Sequence, residues 1–234
     1  MLLSIIIPVF NEEDTVSEIL EKVMKVKLPK KLQREVIVVN DRSTDNSLKK
    51  LNGIRGIKVL NHKTNQGKGA AIRTGIQNST GDILLIQDAD LEYDPNDYPR
   101  LLKPILDGKT KVVYGTRLKN YPIKIFGRKH TPFLTHFLGN KFLSLITRIL
   151  YRSKVTDMET CYKVFNKELV KNIVIKSNRF EFEPEITAKI LKAGHKIHEV
   201  SINVIPRGYD DGKKITWRDG FIAIWTLVKY RFTD

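Results

Sequence analysis

The stretch LLIQDADLEYDP, residues 84–95, joins an apolar run to a cluster of acidic side chains. Residues 84–86 have the composition of a strand buried in the core of a sheet. The acidic residues that follow are Asp88, Asp90, Glu92 and Asp94. Because close carboxylates repel one another unless a positive charge compensates them, this stretch predicts a cation at the end of a strand.

The composition describes a folded, strongly basic chain. It has 234 residues, 41% of them hydrophobic, and 41 Lys+Arg against 26 Asp+Glu give a net charge of +15. Such a chain forms one large domain or a domain with an extension, and it is too apolar to be disordered. The positive balance predicts an anionic partner, which is nucleic acid, nucleotide phosphate or an anionic membrane surface. The single Cys161 excludes an intramolecular disulfide framework and is expected to be a buried packing residue.

Short β-branched runs alternate with helical patterns in the first half of the chain. We predict strands at residues 3–9, 35–40, 57–61, 83–86 and 112–114. We predict helices between them at residues 12–26, 67–77 and 96–106. The alternation favours an α/β fold with a parallel sheet covered on both faces, in which ligands bind beyond the carboxyl ends of the strands.

The second half of the chain is richer in helical patterns. We predict helices at residues 129–151, 167–173, 181–193 and 215–232. We predict strands at residues 164–165 and 195–205, and a polar loop at residues 207–214. No linker-like segment interrupts the chain, so we expect one compact domain with a C-terminal extension.

Acidic residues follow several of the predicted strands, and Asp88 and Asp90 are the most informative of them. Two acids separated by one residue can both face one cation where the backbone turns. A hard divalent ion, Mg²⁺ or Mn²⁺, takes one or two carboxylates and completes its shell with diphosphate oxygens and water. The acids of this basic protein therefore predict a metal that in turn holds phosphates.

Lys68 lies in a Gln-Gly-Lys-Gly sequence, residues 66–69, where a helix is predicted to start. Backbone amides at a helix start can bind an anion, so contact with a phosphate is one interpretation. The other is that the glycines only allow close packing. Both interpretations stay open at the level of the sequence.

A set of motifs resembles a known family. The motifs at the predicted strand ends are SIIIPVFNEEDTVSEIL (4–20), VVNDRSTDNS (38–47), TNQGKGAAIRTGI (64–76) and LLIQDADLEYDP (84–95). In this order they resemble the family 2 glycosyltransferases of the GT-A fold, and more narrowly the dolichyl- or polyprenyl-phosphate mannose and glucose synthases. The similarity continues in YGTRL (114–118), DMETCYKVF (157–165) and PRGYDDGKKITWRDG (206–220), so it covers nearly the whole chain.

The resemblance implies a Rossmann-like GT-A fold with a mixed, mainly parallel sheet flanked by helices. It implies metal-dependent, inverting transfer of a sugar from a UDP- or GDP-linked donor to a polyprenyl phosphate such as dolichyl or undecaprenyl phosphate. Under this interpretation residues 1–206 form the catalytic domain, and residues 207–234 add a lid loop and an amphipathic helix.

The resemblance also implies site residues. Those implied in the base and ribose pocket are Pro8, Phe10, Glu12, Asp41 and Ala89. Those implied to bind the metal and the diphosphate are Asp88, Asp90 and Glu92. Those implied to reach the sugar, the diphosphate or the acceptor phosphate are Arg117, Arg207, Lys213 and Lys214. Residues 40–42 read Asn-Asp-Arg where the family has an acidic pair followed by glycine, which leaves the selectivity for the base open.

The nature of the acceptor decides whether the reaction requires a general base. Breaking the bond from the sugar to the diphosphate builds negative charge, which the metal and the nearby cations would stabilise. A sugar hydroxyl as acceptor requires a base, and Asp157 or Glu159 could serve. A phosphate monoester is already anionic, so Asp157 would then orient the acceptor or anchor a cation.

The pattern of the last helix predicts attachment to a membrane. Residues 215–232 carry an apolar stripe with basic flanks, and residues 129–151 form a second helix with a broad apolar face. This is the signature of helices that lie in a membrane interface, although the stripes could instead pack on the protein's own core. We therefore expect a cytoplasmic protein on the cytoplasmic face of a membrane.

Two alternatives to a polyprenyl-phosphate sugar transferase stay open. One is a family 2 glycosyltransferase that acts on a saccharide or on a lipid-linked glycan. The other is a basic nucleic-acid-binding module, which the charge allows but for which the chain has no recognition motif. Our expectation is therefore no nucleic-acid partner, and the oligomeric state stays open.

Overall fold

The computed structural model describes residues 1–117, 134–205 and 217–233. The strands are β1 (Leu2–Val9), β2 (Gln33–Asn40), β3 (Lys58–Asn61), β4 (Ile83–Ile86), β5 (Val112–Thr116), β6 (Lys163–Asn166) and β7 (His198–Ser201). The helices are α1 (Val16–Lys25), α2 (Ser47–Asn52), α3 (Lys68–Gln77), α4 (Tyr98–Leu106), α5 (Leu134–Tyr151), α6 (Lys167–Lys171), α7 (Phe182–Lys192) and α8 (Trp217–Phe232). A 3₁₀ turn, Pro95–Asp97, precedes α4.

The strands form one sheet in the order β3-β2-β1-β4-β6-β5-β7. The apolar runs that make up β1, β2 and β4 are almost entirely buried, because helices cover a parallel sheet on both faces. Within the sheet, Ile5 of β1 pairs with Val36 on one side and Leu85 on the other. The chain thus adds β2 and β3 on one side of β1 and β4 on the other. A reversal of this kind opens a crevice for ligands at the carboxyl ends of the strands.

β6 is the exception to the parallel order. It is antiparallel to β4 on one side and to β5 on the other. An antiparallel strand begins at the edge where its parallel neighbours end, so residues 157–162, which precede β6, lie at the carboxyl edge of the sheet. The predicted mixed, mainly parallel sheet is confirmed.

The core of the described residues consists of a large cluster around the sheet, a smaller one between three helices, and a third formed by Ile37 and Val39 of β2 with Ala71 of α3. The inner face of α1 consists of Val16, Ile19, Leu20 and Val23, which are spaced three and four residues apart and are fully buried. The smaller cluster joins α5, α7 and α8 through Leu143, Ala188, Ala223, Leu227 and Tyr230. α8 is therefore packed on the rest of the protein along one side.

Two elements are clearly shorter than predicted. The helix predicted from residue 12 begins at Val16, because Glu12 and Glu13 instead donate their backbone N–H groups to Ser47 Oγ (2.9 Å) and Asp45 Oδ2 (3.0 Å). The strand predicted over residues 195–205 is only His198–Ser201. Beyond it the chain turns toward the acidic stretch, where the backbone N–H of Ile205 donates to the Glu92 carbonyl at 3.0 Å.

The helices of the described residues differ in length and polarity, and α5, with 18 residues, is the longest of them. None of those helices is long and apolar enough to cross a membrane.

Close packing of α3 on the sheet gives a direct test of the fold. A Cβ atom at Gly75 would lie 2.4 Å from Ile6 Cγ2, whereas a Cβ at Gly139 in α5 would meet nothing within 4 Å. We expect Gly75→Ala to lower the free energy of unfolding by about 1–3 kcal/mol, because α3 or β1 must shift. The matched control, Gly139→Ala, is expected to leave it unchanged or raise it by up to about 1 kcal/mol. Urea unfolding of both variants measures this, and equal stability of the two would contradict the packing.

Candidate active site

A buried glutamine, Gln87, holds the acidic turn after β4 in place. Gln87 Oε1 accepts hydrogen bonds from the hydroxyls of Tyr98 (2.7 Å) and Tyr162 (2.8 Å). Its amide donates to the backbone carbonyl of Asp88 at 2.9 Å and to that of Tyr93 at 3.4 Å. Because Gln87 is fully buried and bonded to α4, to Tyr162 just before β6 and to its own turn, it fixes where the following carboxylates lie.

Asp88 and Asp90 emerge at the carboxyl edge of the sheet with Ala89 turned inward. The Asp88 side chain is 17% exposed, and Ala89 is buried. Asp90 Oδ1 accepts the backbone N–H of Glu92 at 3.1 Å, across Leu91, whose φ is +63°. The backbone thus turns directly after Asp90, between Asp90 and Glu92.

Lys68 pairs with Asp88 across the crevice. Its Nζ lies 3.0 Å from Asp88 Oδ1 and 3.0 Å from Glu183 Oε1 on α7. Burial alone would lower the pKa of Lys68, but the charges of Asp88 and Glu183 outweigh it and hold the pKa well above its ordinary value. Lys68 is therefore a fixed positive charge beside the predicted metal ligand.

The backbone that carries Lys68 is clamped by its neighbours. Gly67 has a φ of +98°, and a Cβ there would lie 2.5 Å from the Asn178 carbonyl oxygen. A Cβ at Gly69 would lie 2.7 Å from the Ser177 carbonyl oxygen, and the Ala70 N–H donates to the Asn178 carbonyl at 2.9 Å. The glycines of this motif therefore do allow close packing, which is one of the two interpretations of the sequence.

Asp41 shapes the loop that leads to α3. Its Oδ1 accepts the Gln66 N–H at 2.8 Å, and its Oδ2 accepts the Gly67 N–H at 2.6 Å. His62 Nδ1 lies 2.7 Å from Asp41 Oδ1, and His62 Nε2 lies 2.9 Å from Thr74 Oγ1. Both carboxylate oxygens thus bond within the protein, at the same edge as the acidic turn.

His62 is a residue that the sequence did not single out. No histidine spacing indicates it, because its contact with Asp41 arises from sheet pairing. β2 and β3 pair in a register that places Asn40 opposite Asn61, so the next residues along each strand are neighbours. The contact between His62 and Asp41 therefore follows from the strand register, which no local pattern of the sequence indicates.

Three of the residues predicted for the base and ribose pocket, Pro8, Phe10 and Glu12, lie in the last part of β1 or just after it. Pro8 belongs to β1 and pairs with Val39, and Phe10 follows that strand with a partly buried side chain. Glu12 Oε2 accepts from Thr15 Oγ1 at 3.0 Å. The structure therefore brings these residues to the same sheet edge as Asp41.

Arg117 and Asp157 form a second ion pair at this edge. Arg117 donates Nε to Asp157 Oδ2 at 2.8 Å and Nη2 to Oδ1 at 2.7 Å, while its backbone N–H donates to Oδ2 at 2.9 Å. Burial would lower the pKa of Arg117, but the Asp157 charge outweighs it, so the pKa stands well above its ordinary value. Asp157 is fully buried. Both oxygens of the Asp157 carboxylate are thus paired with Arg117 in this structure.

Glu159 differs from Asp157 in its surroundings. Its Oε1 is buried and has no hydrogen-bond partner among the described residues. Burial, together with the charge of Glu183, raises the pKa of Glu159 to about 8. Nearby Lys163 is fully buried, and burial lowers its pKa. Glu159 is therefore protonated over much of the neutral pH range. A general base must be ionised before it can accept a proton, so Glu159 is in the wrong protonation state for this role below about pH 8.

Cys161 is a buried packing residue, as predicted. It is 3% exposed and its backbone N–H donates to the Tyr93 hydroxyl at 3.1 Å. Burial raises the pKa of its thiol well above the ordinary value.

Three predicted site residues lie outside the described residues. They are Arg207, Lys213 and Lys214 of the predicted lid loop. The lid and its cations therefore stay predictions.

Asp88 and Asp90 fit a divalent ion that also binds a ligand. The described residues hold no group of three or more His, Cys, Asp or Glu side chains that could enclose a metal. Mg²⁺ and Mn²⁺ bound through one or two carboxylates complete their shells with phosphate oxygens and water. The pair of acids therefore suits an ion shared with a diphosphate rather than one enclosed by protein.

Comparison with known proteins gives a consistent result. Residues 4–174 match the family model described as Glycosyl transferase family 2. The chain is 27% identical to a UDP-N-acetylglucosamine–dolichyl-phosphate N-acetylglucosaminyltransferase of Methanococcus voltae, across 97% of this chain and 95% of that protein. It is 26% identical to a dodecaprenyl-phosphate galacturonate synthase of Rhizobium johnstonii, across 86% of this chain but only 58% of that protein.

A solved structure has the same fold. It is glucosyl-3-phosphoglycerate synthase from Mycobacterium tuberculosis in complex with Mn²⁺, UDP and phosphoglyceric acid. The TM-score is 0.76 over 100% of this chain and 79% of that one, at 18% sequence identity. The expected GT-A fold is thereby confirmed.

Proposed function

The chain belongs to glycosyl transferase family 2, and from that premise we propose that it transfers a sugar from a nucleoside diphosphate to a polyprenyl phosphate. The observation that carries the proposal is the pair Asp88 and Asp90 at the end of β4, with the Lys68 ammonium 3.0 Å from Asp88. Carboxylates for a metal and a fixed cation for phosphate are what binding a nucleoside diphosphate demands.

The donor half of the site would hold Mg²⁺ or Mn²⁺. Asp88 and Asp90 are its proposed ligands, and the ion would act as a Lewis acid on the leaving diphosphate. A protein of the same fold was crystallised with Mn²⁺ and UDP, and another crystal of it contains Mg²⁺ and UDP. Pro8, Phe10, Glu12, Asp41 and Ala89 are proposed to line the base and ribose pocket.

The cations would stabilise the charge that develops as the sugar leaves. Lys68 and Arg117 are the proposed groups among the described residues, and Arg207, Lys213 and Lys214 are proposed to join them. Arg117 is held rigidly by Asp157, whose backbone N–H in turn donates to Glu199 Oε1 at 3.0 Å. A cation fixed before the reaction needs no reorganisation when the charge appears, which is why such groups are effective.

The acceptor is proposed to be a lipid phosphate. The relatives named above act, by their names, on dolichyl and dodecaprenyl phosphates. A phosphate monoester needs no general base, and Asp157, one of the two candidate bases, is paired with Arg117. In-line attack by the phosphate would invert the configuration of an α-linked sugar.

A hydroxyl acceptor is the second candidate, and Glu159 is the observation in its favour. A carboxylic acid with a pKa of about 8 and an unpartnered buried oxygen among the described residues could accept a proton once ionised. This alternative would make the protein a transferase for a saccharide or a lipid-linked glycan.

The protein is proposed to work at the cytoplasmic face of a membrane. Its exposed large apolar side chains on two helices are Leu138, Phe142, Leu145 and Ile149 of α5 and Phe221, Ile222, Trp225 and Phe232 of α8. Exposed basic residues on the same helices are Lys141, Arg148, Arg218, Lys229 and Arg231. Apolar side chains with basic flanks suit an anionic lipid surface, and each cation there adds about 1 kcal/mol.

The first prediction concerns the donor site. Asp90→Asn is expected to lower transfer from UDP- or GDP-linked sugars to polyprenyl phosphate by about 100-fold or more, because the ion loses a charged ligand. Asp94→Asn is the matched control, since Asp94 only caps the turn before α4, at 3.0 Å from the Asn96 N–H, and Asn caps equally well. Thin-layer separation of labelled lipid product gives the rates. Equal rates for wild type and Asp90→Asn would contradict the donor site.

The second prediction separates the two acceptors. With a phosphate acceptor, kcat/KM should rise through about pH 6, where a phosphate monoester loses its second proton, and Glu159→Gln should keep that profile. With a hydroxyl acceptor, the rate should rise through a pH of about 8 as Glu159 ionises, and Glu159→Gln should abolish it. We expect the first result, and a rise near pH 8 that Glu159→Gln removes would contradict it.

The third prediction concerns the membrane. Deleting α8 would also remove Ala223, Leu227 and Tyr230 from the core, so substitutions of exposed residues are the cleaner test. Phe142→Asp/Trp225→Asp is expected to abolish most co-sedimentation with vesicles containing anionic lipid at low salt. Val174→Asp is the control, because Val174 is 69% exposed but lies on neither helix. Undiminished binding of the double variant would contradict this surface.

A further inference from the structure

We propose that Glu183, on the first turn of α7, is a positioning residue of the donor site. When a divalent ion binds Asp88, it replaces the Lys68 ammonium at that carboxylate. The ion pair with Glu183 then keeps Lys68 in its place. The inference rests on the proposed function, because it concerns the metal that the donor brings.

The geometry ties three elements together through one ammonium group. Lys68 Nζ is 3.0 Å from a carboxylate oxygen of Asp88, at the end of β4, and 3.0 Å from one of Glu183. Lys68 itself is the first residue of α3. Its side chain and that of Asp88 are each 17% exposed, and that of Glu183 is 6% exposed. The ammonium thus stands between two carboxylates, only one of which belongs to the predicted metal site.

Glu183 is incompletely satisfied in a way that ordinary packing does not explain. Its Oε2 is buried and has no hydrogen-bond partner among the described residues, although its Oε1 bonds to Lys68. Burying a carboxylate oxygen without a partner costs free energy. Glu183 thus stabilises the charge of Lys68, although its own Oε2 is buried without a partner among the described residues. This indicates that the position of Lys68 matters for function.

The charges of the cluster favour the binding of a cation. Asp88, Asp90 and Glu183 are acidic and Lys68 is basic, and the buried Lys163 also interacts electrostatically with Glu183. Without Glu183 the cluster loses one negative charge, so its electrostatic attraction for a divalent ion falls.

Exchange at Asp88 explains why Lys68 needs a second partner. An ion that binds Asp88 displaces the ammonium from that carboxylate. With Glu183 present, Lys68 retains a charged partner and stays at the edge where a diphosphate would lie. With Glu183 neutralised, Asp88 is the one carboxylate among the described residues that still pairs with Lys68, so the ammonium competes more strongly with the ion.

A double-mutant cycle tests this sequence of events. The variants are Glu183→Gln, Lys68→Met and the combination of the two. The measured quantity is the affinity for Mn²⁺, with and without UDP or GDP. It is obtained from the electron paramagnetic resonance signal of free Mn²⁺. Glu183→Gln should weaken Mn²⁺ binding about tenfold, and the double variant should return to wild-type affinity or better, because the competing ammonium is gone. A pair that served only the fold would recover stability in the double variant, but Glu183→Gln would then leave the Mn²⁺ affinity of the folded protein unchanged.

Two controls keep the outcome interpretable. Glu18→Gln removes the same charge from the exposed surface of α1, where Glu18 pairs with Lys22 at 2.7 Å, and should bind Mn²⁺ like wild type. Asp88→Asn should lose binding. If Lys68→Met fails to fold because Glu183 is left buried without a counter-charge, the double variant, which buries neither charge, still decides.

The outcomes separate this inference from the proposed function. Mn²⁺ binding that is lost in Asp88→Asn but unchanged in Glu183→Gln would overturn the role of Glu183 alone. A double variant as weak as Glu183→Gln would do the same. A wild-type protein that binds no Mn²⁺ with either nucleotide would overturn the metal-dependent function, and this inference with it.

Discussion

The antiparallel insertion of β6 between β4 and β5 is the constraint on which the site depends. In a purely parallel sheet, the segment before a strand lies at the opposite edge from the segment after its neighbour. Because β6 runs the other way, the residues that precede it meet the residues that follow β4 and β5. This is how Asp157 comes to hold Arg117, which follows β5, and how the Cys161 N–H reaches the Tyr93 hydroxyl after β4.

Buried charges at this edge are neutralised in pairs that join separate elements. Lys68 of α3 meets Asp88 after β4 and Glu183 of α7, and Arg117 after β5 meets Asp157 before β6. Removing one partner of such a pair leaves a buried charge uncompensated, which is costly. The pairs therefore fix the relative positions of the elements, and they also keep cations where an anionic donor would bind. Stability and binding depend here on the same contacts.

The periodic parts of the fold could be predicted from the sequence, and the pairing between distant parts could not. The apolar runs of β1, β2 and β4 predicted their strands because both faces of a parallel sheet are buried. Asp88 and Asp90 stood out because they are close in sequence. Glu183 and His62 did not, because their partners lie in other elements and no local pattern encodes such a contact. The start of α1 was misplaced for the same reason, since Ser47 and Asp45 bond the N–H groups of Glu12 and Glu13.

The central claim is that Asp88 and Asp90 hold a divalent ion that also binds the donor diphosphate. Electron–nuclear double resonance of Mn²⁺ tests it, with the protein labelled with ¹³C at its Asp carboxylates and with UDP or GDP present. The account predicts that one Mn²⁺ ion couples both to carboxylate ¹³C and to diphosphate ³¹P, and that the ¹³C coupling weakens in Asp88→Asn. Coupling to ³¹P without any coupling to carboxylate ¹³C would contradict it, because the ion would then be held by the nucleotide alone.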